Sequence, residues 1–237
     1  MTKILSLTNL SYKRNLATIL KDLNGSADTG SIVGLLGANG AGKTTLMRLI
    51  SGAAKHYRGE IKVADHTKPL QRKQLVSFSH QLDGVDKHER MAKVVAFYDK
   101  LYPDFSESAF QRLAEFLDLD LHQRLSSLSK GNLMKFVIAI TLARQVKLYL
   151  LDEPFDGIDS MSRKKIIASI LQWKPTDATI LISDHHVEDI ENILDAVLIV
   201  KDKRIIVSEK ADKIRETYGQ SIEAYYEAIY TGGNEND

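Results

Sequence analysis

Residues 37–45 read GANGAGKTT, so that G-x-x-x-x-G-K-T occupies positions 37–44. Gly37, Gly40 and Gly42 permit positive φ and keep side chains away from a closely approaching ligand. In a loop of this kind the backbone N–H groups, from Gly37, Ala38, Asn39, Gly40, Ala41 and Gly42 on to Thr45, curl around the β- and γ-phosphates of a nucleoside triphosphate. The helix that follows turns its positive dipole end toward them. Lys43 adds a point charge for the phosphate oxygens, and Thr44 adds a hydroxyl for Mg²⁺. Residues 147–154 read KLYLLDEP, an apolar run that ends in Asp152 and Glu153. At the carboxyl end of a strand, an Asp can hold Mg²⁺ through water, and an adjacent Glu can take a proton from attacking water.

Each feature has a plainer reading. The first could be a glycine-rich turn with a surface lysine, the second a strand ending in two solvated acids. Context decides between them. The loop needs a buried strand before it and a helix after it. SIVGLLG before position 37 is continuous and apolar, as in a strand covered on both faces. A helix is expected from 42 to about 51, ended near Gly52.

The elements around these residues follow from periodicity. The alternating KILSLTNLSY and the runs within TILKDLNGSAD read as strands split by turn signals. Strands are expected near 59–64 and 74–80. Met91, Val94, Val95, Tyr98, Leu101 and Tyr102 then recur at helical spacing up to Pro103. Phe110, Leu113, Ala114 and Leu117 form a second stripe after a cap at Asp104 or Ser106. Residues 82–130 thus read as an all-helical insert. NLMKFVIAITLARQ is a largely apolar, buried helix. Beyond it, strand 147–151, helix 160–173, strand 179–183, helix 186–194 and strand 196–201 alternate, which argues for a parallel sheet with helices on both faces. A strand near 204–208 and a helix near 210–230 follow. The polar TGGNEND at the end is expected to fray.

Composition limits the function classes. The 237 residues carry 32 Lys plus Arg against 31 Asp plus Glu, a net charge of +1, so no strongly basic face for nucleic acid is signalled. No cysteine is present, which removes disulfides, thiolate nucleophiles and Cys-ligated metals. The N-terminus does not read as a signal peptide. The most apolar run, FVIAITLA, is far short of the ~20 residues needed to cross a bilayer. The adjacent His185 and His186 would diverge by ~100° on a helix and share a metal poorly. RKK at 163–165 reads as a solvated helix face.

LSKGN at 128–132 stands ahead of the buried helix, and with it the chain resembles the ATP-binding cassette (ABC) ATPases, whose signature is usually LSGGQ. The resemblance covers about residues 1–210, with every motif in family order. It implies an α/β fold: a P-loop NTPase core with a mixed sheet (1–81 and 131–210), an N-terminal antiparallel β-subdomain, an inserted α-helical subdomain (82–130) and a C-terminal helix and tail (211–237). It implies ATP and Mg²⁺ as ligands. By the same resemblance Tyr12 stacks on adenine, and Gln81 senses Mg²⁺ and the lytic water. Thr44 and Asp152 serve the metal. Lys43, Glu153 and His185 serve catalysis, and FDGID, ending at Asp159, links two sites. Ser129 and Gly131 are implied to reach the γ-phosphate held by another copy, in a head-to-tail homodimer that sandwiches ATP.

Lys130 and Asn132 depart from the usual Gly and Gln of that signature. Lys at the third position is common in exporter-type cassettes. The expectation is an ATPase that couples dimer closure and hydrolysis to translocation, with export as the direction, by separate transmembrane permease subunits. It would sit at the cytoplasmic face of the membrane, with no nucleic-acid partner. The insert, with Phe97, Tyr98, Tyr102 and Phe105, and the Gln81 loop would form the groove for the permease. The alternative is a non-transport single-cassette scaffold ATPase, for example of the iron–sulfur assembly type. A nucleotide kinase or GTPase fits poorly, because VKDK at 200–203 lacks the Asn of a guanine-reading motif.

Overall fold

The strand β3 (Ile32–Leu36) is buried along its whole length and sits inside a six-stranded sheet. The computed structural model describes residues 2–79, 82 and 84–231. The sheet runs β5 (Val76–Phe78), β6 (Leu148–Asp152), β7 (Thr179–Asp184), β3, β8 (Ala196–Lys201) and β9 (Arg204–Lys210). Neighbours from β5 to β8 are parallel, and β9 closes the edge antiparallel to β8. A separate three-stranded antiparallel sheet is ordered β2 (Ala17–Asp28), β1 (Lys3–Arg14) and β4 (Arg58–Val63). The fold is therefore mixed α/β with an N-terminal antiparallel subdomain.

Strand periodicity builds three layers. Successive side chains of a strand point to opposite faces. Val33 and Leu35 join Leu150, Leu181 and Leu198 in a core roofed by β1 and by α1 (Lys43–Ile50). Ile32 and Leu36 join Leu151, Ile182 and Ile199 in a second core on the other face. That face is covered by α3 (Met91–Leu101), α4 (Glu107–Phe116), α5 (Lys130–Leu142) and α6 (Ser160–Trp173), and by α7 (Ala211–Tyr218) and α8 (Ile222–Thr231).

The helical stretch is tied to the sheet edge by one buried cation. Arg144 is 2% exposed. It donates to both Asp104 oxygens at 2.8 and 2.6 Å and to the Val76 carbonyl at 2.9 Å, and lies 4.1 Å over the Tyr102 ring. Asp104 is thus engaged by Arg144, and Ser106 is the residue that caps α4, accepting from Ala109 N–H at 3.2 Å.

Three local expectations are corrected. Residues 186–194 form two 3₁₀ turns, Val187–Asp189 and Glu191–Ile193, with i→i+3 bonds from Ile190 and Ile193 N–H. Val187, Ile190 and Ile193 recur every third residue, the 3₁₀ repeat. The stretch 210–230 is two helices broken at Gly219, whose φ is 61°. Residues 74–75 belong to α2 (Pro69–Leu75), which begins on a Pro at the favoured first helical position and leaves only Val76–Phe78 as strand.

Candidate functional site

Strand register brings the site together. Leu36 is level with Asp184 on β7, and Asp152 is level with Ser183. The carboxyl ends of β3, β7 and β6 therefore lie side by side at the ~4.8 Å spacing of adjacent strands. This is where open α/β sheets bind ligands.

The loop from β3 to α1 needs its three glycines for different reasons. Gly40 has φ 80°, with open space around the position a Cβ would take. Gly42 has φ 103°, and a Cβ there would stand 2.7 Å from Leu20 Cδ2. Gly37 is not among the positive-φ residues, so the sequence-based reason for it is corrected. A Cβ at 37 would come 2.8 Å from the Val200 carbonyl oxygen, so the requirement is steric.

Lys43 opens α1 and is 4% exposed. Its ammonium donates to the Gly37 carbonyl at 2.7 Å and the Ala38 carbonyl at 3.3 Å, and lies 3.3 Å from Glu153 Oε1. An ammonium has three N–H donors. All three have acceptors here, so an anion entering the loop must displace at least one.

Asp152 and Glu153 are held by serines that the sequence reading did not single out. Ser79 Oγ accepts from Asp152 N–H at 2.9 Å. Ser183 Oγ donates to Asp152 Oδ1 at 2.6 Å and accepts from Glu153 N–H at 3.0 Å. Glu153 has φ 46°, a left-handed conformation costing ~1 kcal/mol or more for a non-glycine residue. Such strain concentrates at functional sites. Its Oε1 also lies 3.8 Å from His185 Nδ1.

His185 follows β7, and His186 beside it is not on the α-helix expected at 186–194. The His185 ring and that of His186 are 4.1 Å apart at 43°. Their backbone N–H groups both donate to Asp184 Oδ1, at 2.7 and 2.8 Å. Asp184 is 2% exposed, and burial pushes its carboxyl up despite those two bonds. Among the described residues its Oδ2 and the His185 Nδ1 are buried without hydrogen-bond partners. His185 and His186 line a cavity of about 420 Å³ with Arg163 and Tyr226. Arg163 is not simply solvated: it pairs with Asp189, and Lys165 pairs with Asp118.

Tyr12 is half-buried on β1 opposite Leu20, the residue that contacts the Gly42 position. It packs on the same core as Ile19 and the loop residue Ala41. Ser129 caps α5, its Oγ accepting from Asn132 N–H at 3.2 Å. That leaves its O–H proton to donate elsewhere. A Cβ on Gly131 would meet Ser162 Oγ at 2.9 Å. Lys130 pairs with Asp156 at 2.7 Å, and its side chain lies against Gly157, which has φ 63°. The cation draws the Asp156 carboxyl below its ordinary range. Asp159 caps α6, and the Ser162 N–H it accepts draws its carboxyl down too. Lys130 therefore links the start of α5 to the loop after Asp152. Gln81 and His80 lie outside the described residues, as does 232–237 of the polar tail.

The hydroxyl of Thr44 and the carboxylate of Asp152 are hard oxygen donors of the kind Mg²⁺ selects. Among the described residues no group of three His, Asp or Glu gathers to hold a metal. The donor set thus suits an ion that keeps water and phosphate oxygens as ligands.

A buried parallel strand, a glycine loop with a buried lysine, and acids at the neighbouring strand ends define a nucleotide-binding α/β domain. The profile of the ABC transporter family matches residues 20–156, and the chain belongs to that family. Within it the chain is an ATP-binding subunit and an ATPase. It is 28% identical over 201 residues to an uncharacterized ABC transporter ATP-binding protein of Methanocaldococcus jannaschii, covering 83% of this chain and 73% of that protein. It is 28% identical over 252 residues to the linearmycin resistance ATP-binding protein of Bacillus subtilis, covering 99% and 81%. A solved ATP-binding subunit of an ABC transporter superimposes with TM-score 0.84 at 24% identity, covering 96% of this chain and all of that one, and so shares its fold. No helix among the described residues is long and apolar enough to cross a membrane.

Proposed function

We propose that this chain hydrolyses MgATP in a head-to-tail homodimer and drives export through separate transmembrane subunits, bound at the cytoplasmic face of the membrane. The observation that carries the reading is Glu153. Its Oε1 lies within ion-pair reach of Lys43 on one side and His185 on the other. A carboxylate so placed can orient and deprotonate water beside a phosphate held by the loop.

In this reading Tyr12 stacks on adenine, and amides of residues 37–45 with Lys43 hold the phosphates. Mg²⁺, taken by Thr44 and Asp152, supplies charge neutralisation on the phosphate oxygens when bound. Glu153 takes the proton of the attacking water. His185 donates a hydrogen bond to the terminal phosphate. The free O–H of Ser129 and the N–H of Gly131, at the positive end of α5 in a second copy, close the exposed side of that phosphate. Asp159 links the two sites.

Export is supported by Lys130 and by the kinship with a resistance ATP-binding protein. The helical stretch 82–130 would carry the closing motion to the permease. Its groove of about 280 Å³, lined by Val85, Glu89, Lys93, Val94 and Phe97, suits a short partner helix.

Ser129→Arg tests the shared site. It should cut turnover by about 100-fold or more, in line with loss of a group acting on the transferred phosphoryl. ATP affinity of the single subunit should change little. Hydrolysis at the wild-type rate in that variant would rule out a site completed by a second copy.

A further inference from the structure

The peptide joining Gly37 to Ala38 is held at both ends. Its carbonyl accepts from Lys43 Nζ at 2.7 Å. Its N–H donates to the hydroxyl of Tyr230, 3.1 Å away, on α8. The Tyr230 O–H in turn donates to the carbonyl of Val200, the atom that closes the Cβ position of Gly37. Lys201, next on β8, secures the end of the helix by donating to the Ile229 carbonyl at 2.9 Å, and its ammonium lies 5.4 Å from the Tyr230 ring centre. Tyr226 packs against Tyr230, the rings tilted at 42° with centres 4.7 Å apart, and lines the cavity that also holds His185 and His186. The last helix thus touches the glycine loop through one hydroxyl and borders the histidine turn through another ring.

We infer that Tyr230 is a positioning residue for nucleotide binding: it fixes the first peptide of the phosphate loop. The inference rests on the reading of residues 37–45 as the phosphate site. Gly40 and Gly42, at φ 80° and 103°, leave that loop conformationally permissive. A loop that must be ordered by its ligand loses affinity, and one ordered beforehand does not. Lys43 cannot serve as the permanent restraint. Its three donors are already engaged, so turning one toward a phosphate withdraws it from Gly37, Ala38 or Glu153. The Tyr230 hydroxyl does not have to move, and it keeps the peptide in place as the lysine leaves. It touches no phosphate and acts only through the loop.

Tyr230→Phe removes the hydroxyl and keeps the ring on Tyr226 and Lys201. One hydrogen bond is worth ~1 kcal/mol, so Kd and KM for MgATP should rise about 3- to 10-fold. The value of kcat at saturating ATP should fall less than about twofold, because the reacting groups stay in place. A merely structural role would lower the melting temperature and leave Kd and KM where they are. That outcome, or a fall in kcat at constant KM, overturns the inference. Lys43→Ala is measured alongside. If it binds MgATP as tightly as wild type, the phosphate-loop reading itself has failed. If it loses binding while Tyr230→Phe keeps wild-type Kd and KM, only the role of Tyr230 is rejected.

Discussion

Lys43 and Glu153 are ion-paired across the mouth of the loop, Nζ to Oε1 at 3.3 Å, with the lysine 4% and the glutamate 32% exposed. The pair joins the residue that would meet the phosphates to the residue that would meet the water. Nucleotide in the loop must displace at least one of the three acceptors of Lys43, and where that acceptor is Glu153 its carboxylate would turn toward the space it would share with water.

Glu153→Gln tests that relationship. The amide keeps the shape but cannot take a proton, so turnover should fall by about 10²- to 10⁴-fold. ATP binding should persist, and a nucleotide-bound dimer should accumulate on a sizing column. Hydrolysis at the normal rate would show that Glu153 is not the base.

The loop and the strand-end acids were legible because their chemistry is written in contiguous residues: GANGAGKTT and LLDE each carry their own context. What holds those acids was not. Ser79 follows β5 and Ser183 lies on β7, and they reach Asp152 and Glu153 only through the pairing of neighbouring strands, which a single sequence does not specify. The helix expected at 186–194 fails for a local reason: Val187, Ile190 and Ile193 recur every third residue, and the chain takes two 3₁₀ turns there. Tyr230 was invisible for want of any local signal, since its partner Ala38 is 192 residues away.

Arg144→Met should destabilise the fold by about 3 kcal/mol, the cost of stranding one half of a buried ion pair. The corresponding fall in melting temperature is ~6–12 °C for a chain of this size. Asp104 is 24% exposed and can recover some hydration, which favours the smaller value. Arg144→Lys should not restore stability, because a point charge cannot make the two-pronged contact to Asp104 and also reach Val76. Full rescue by lysine in thermal unfolding would show that charge alone matters.

Asp184 makes stability depend on pH. Burial raises its carboxyl in the folded state above the ordinary value of 3.8. The folded state therefore binds this proton more tightly than the unfolded state. The contribution of Asp184 is full below 3.8 and is lost as pH rises through the raised folded-state value. Asn at this position retains an oxygen for the His185 and His186 N–H groups and does not ionise. The unfolding free energy of Asp184→Asn, minus that of wild type, should grow as pH rises from about 4 and then level off. Denaturant titrations at a series of pH values give this difference directly, and a difference independent of pH would mean that the folded and unfolded states bind the Asp184 proton equally tightly.

The groove on the helical stretch can be tested because the chain contains no cysteine. Phe97 is 55% exposed while its neighbour Tyr98, at 2%, is buried in the core. One helix thus presents an aromatic ring to each side, and the outer one, which meets the edge of Tyr98 with ring centres 6.2 Å apart, is more than half open to solvent. Exposed aromatics on the rim of a groove are the usual anchors of a helix-in-groove contact. Phe97→Cys places a single thiol there. In membranes from cells expressing it, a short thiol-reactive cross-linker should join the chain to a hydrophobic, membrane-spanning polypeptide. A thiol at Glu216, exposed on α7, should give no such product. Equal labelling from both positions, or from neither, would remove this groove as the route by which ATP hydrolysis reaches the membrane.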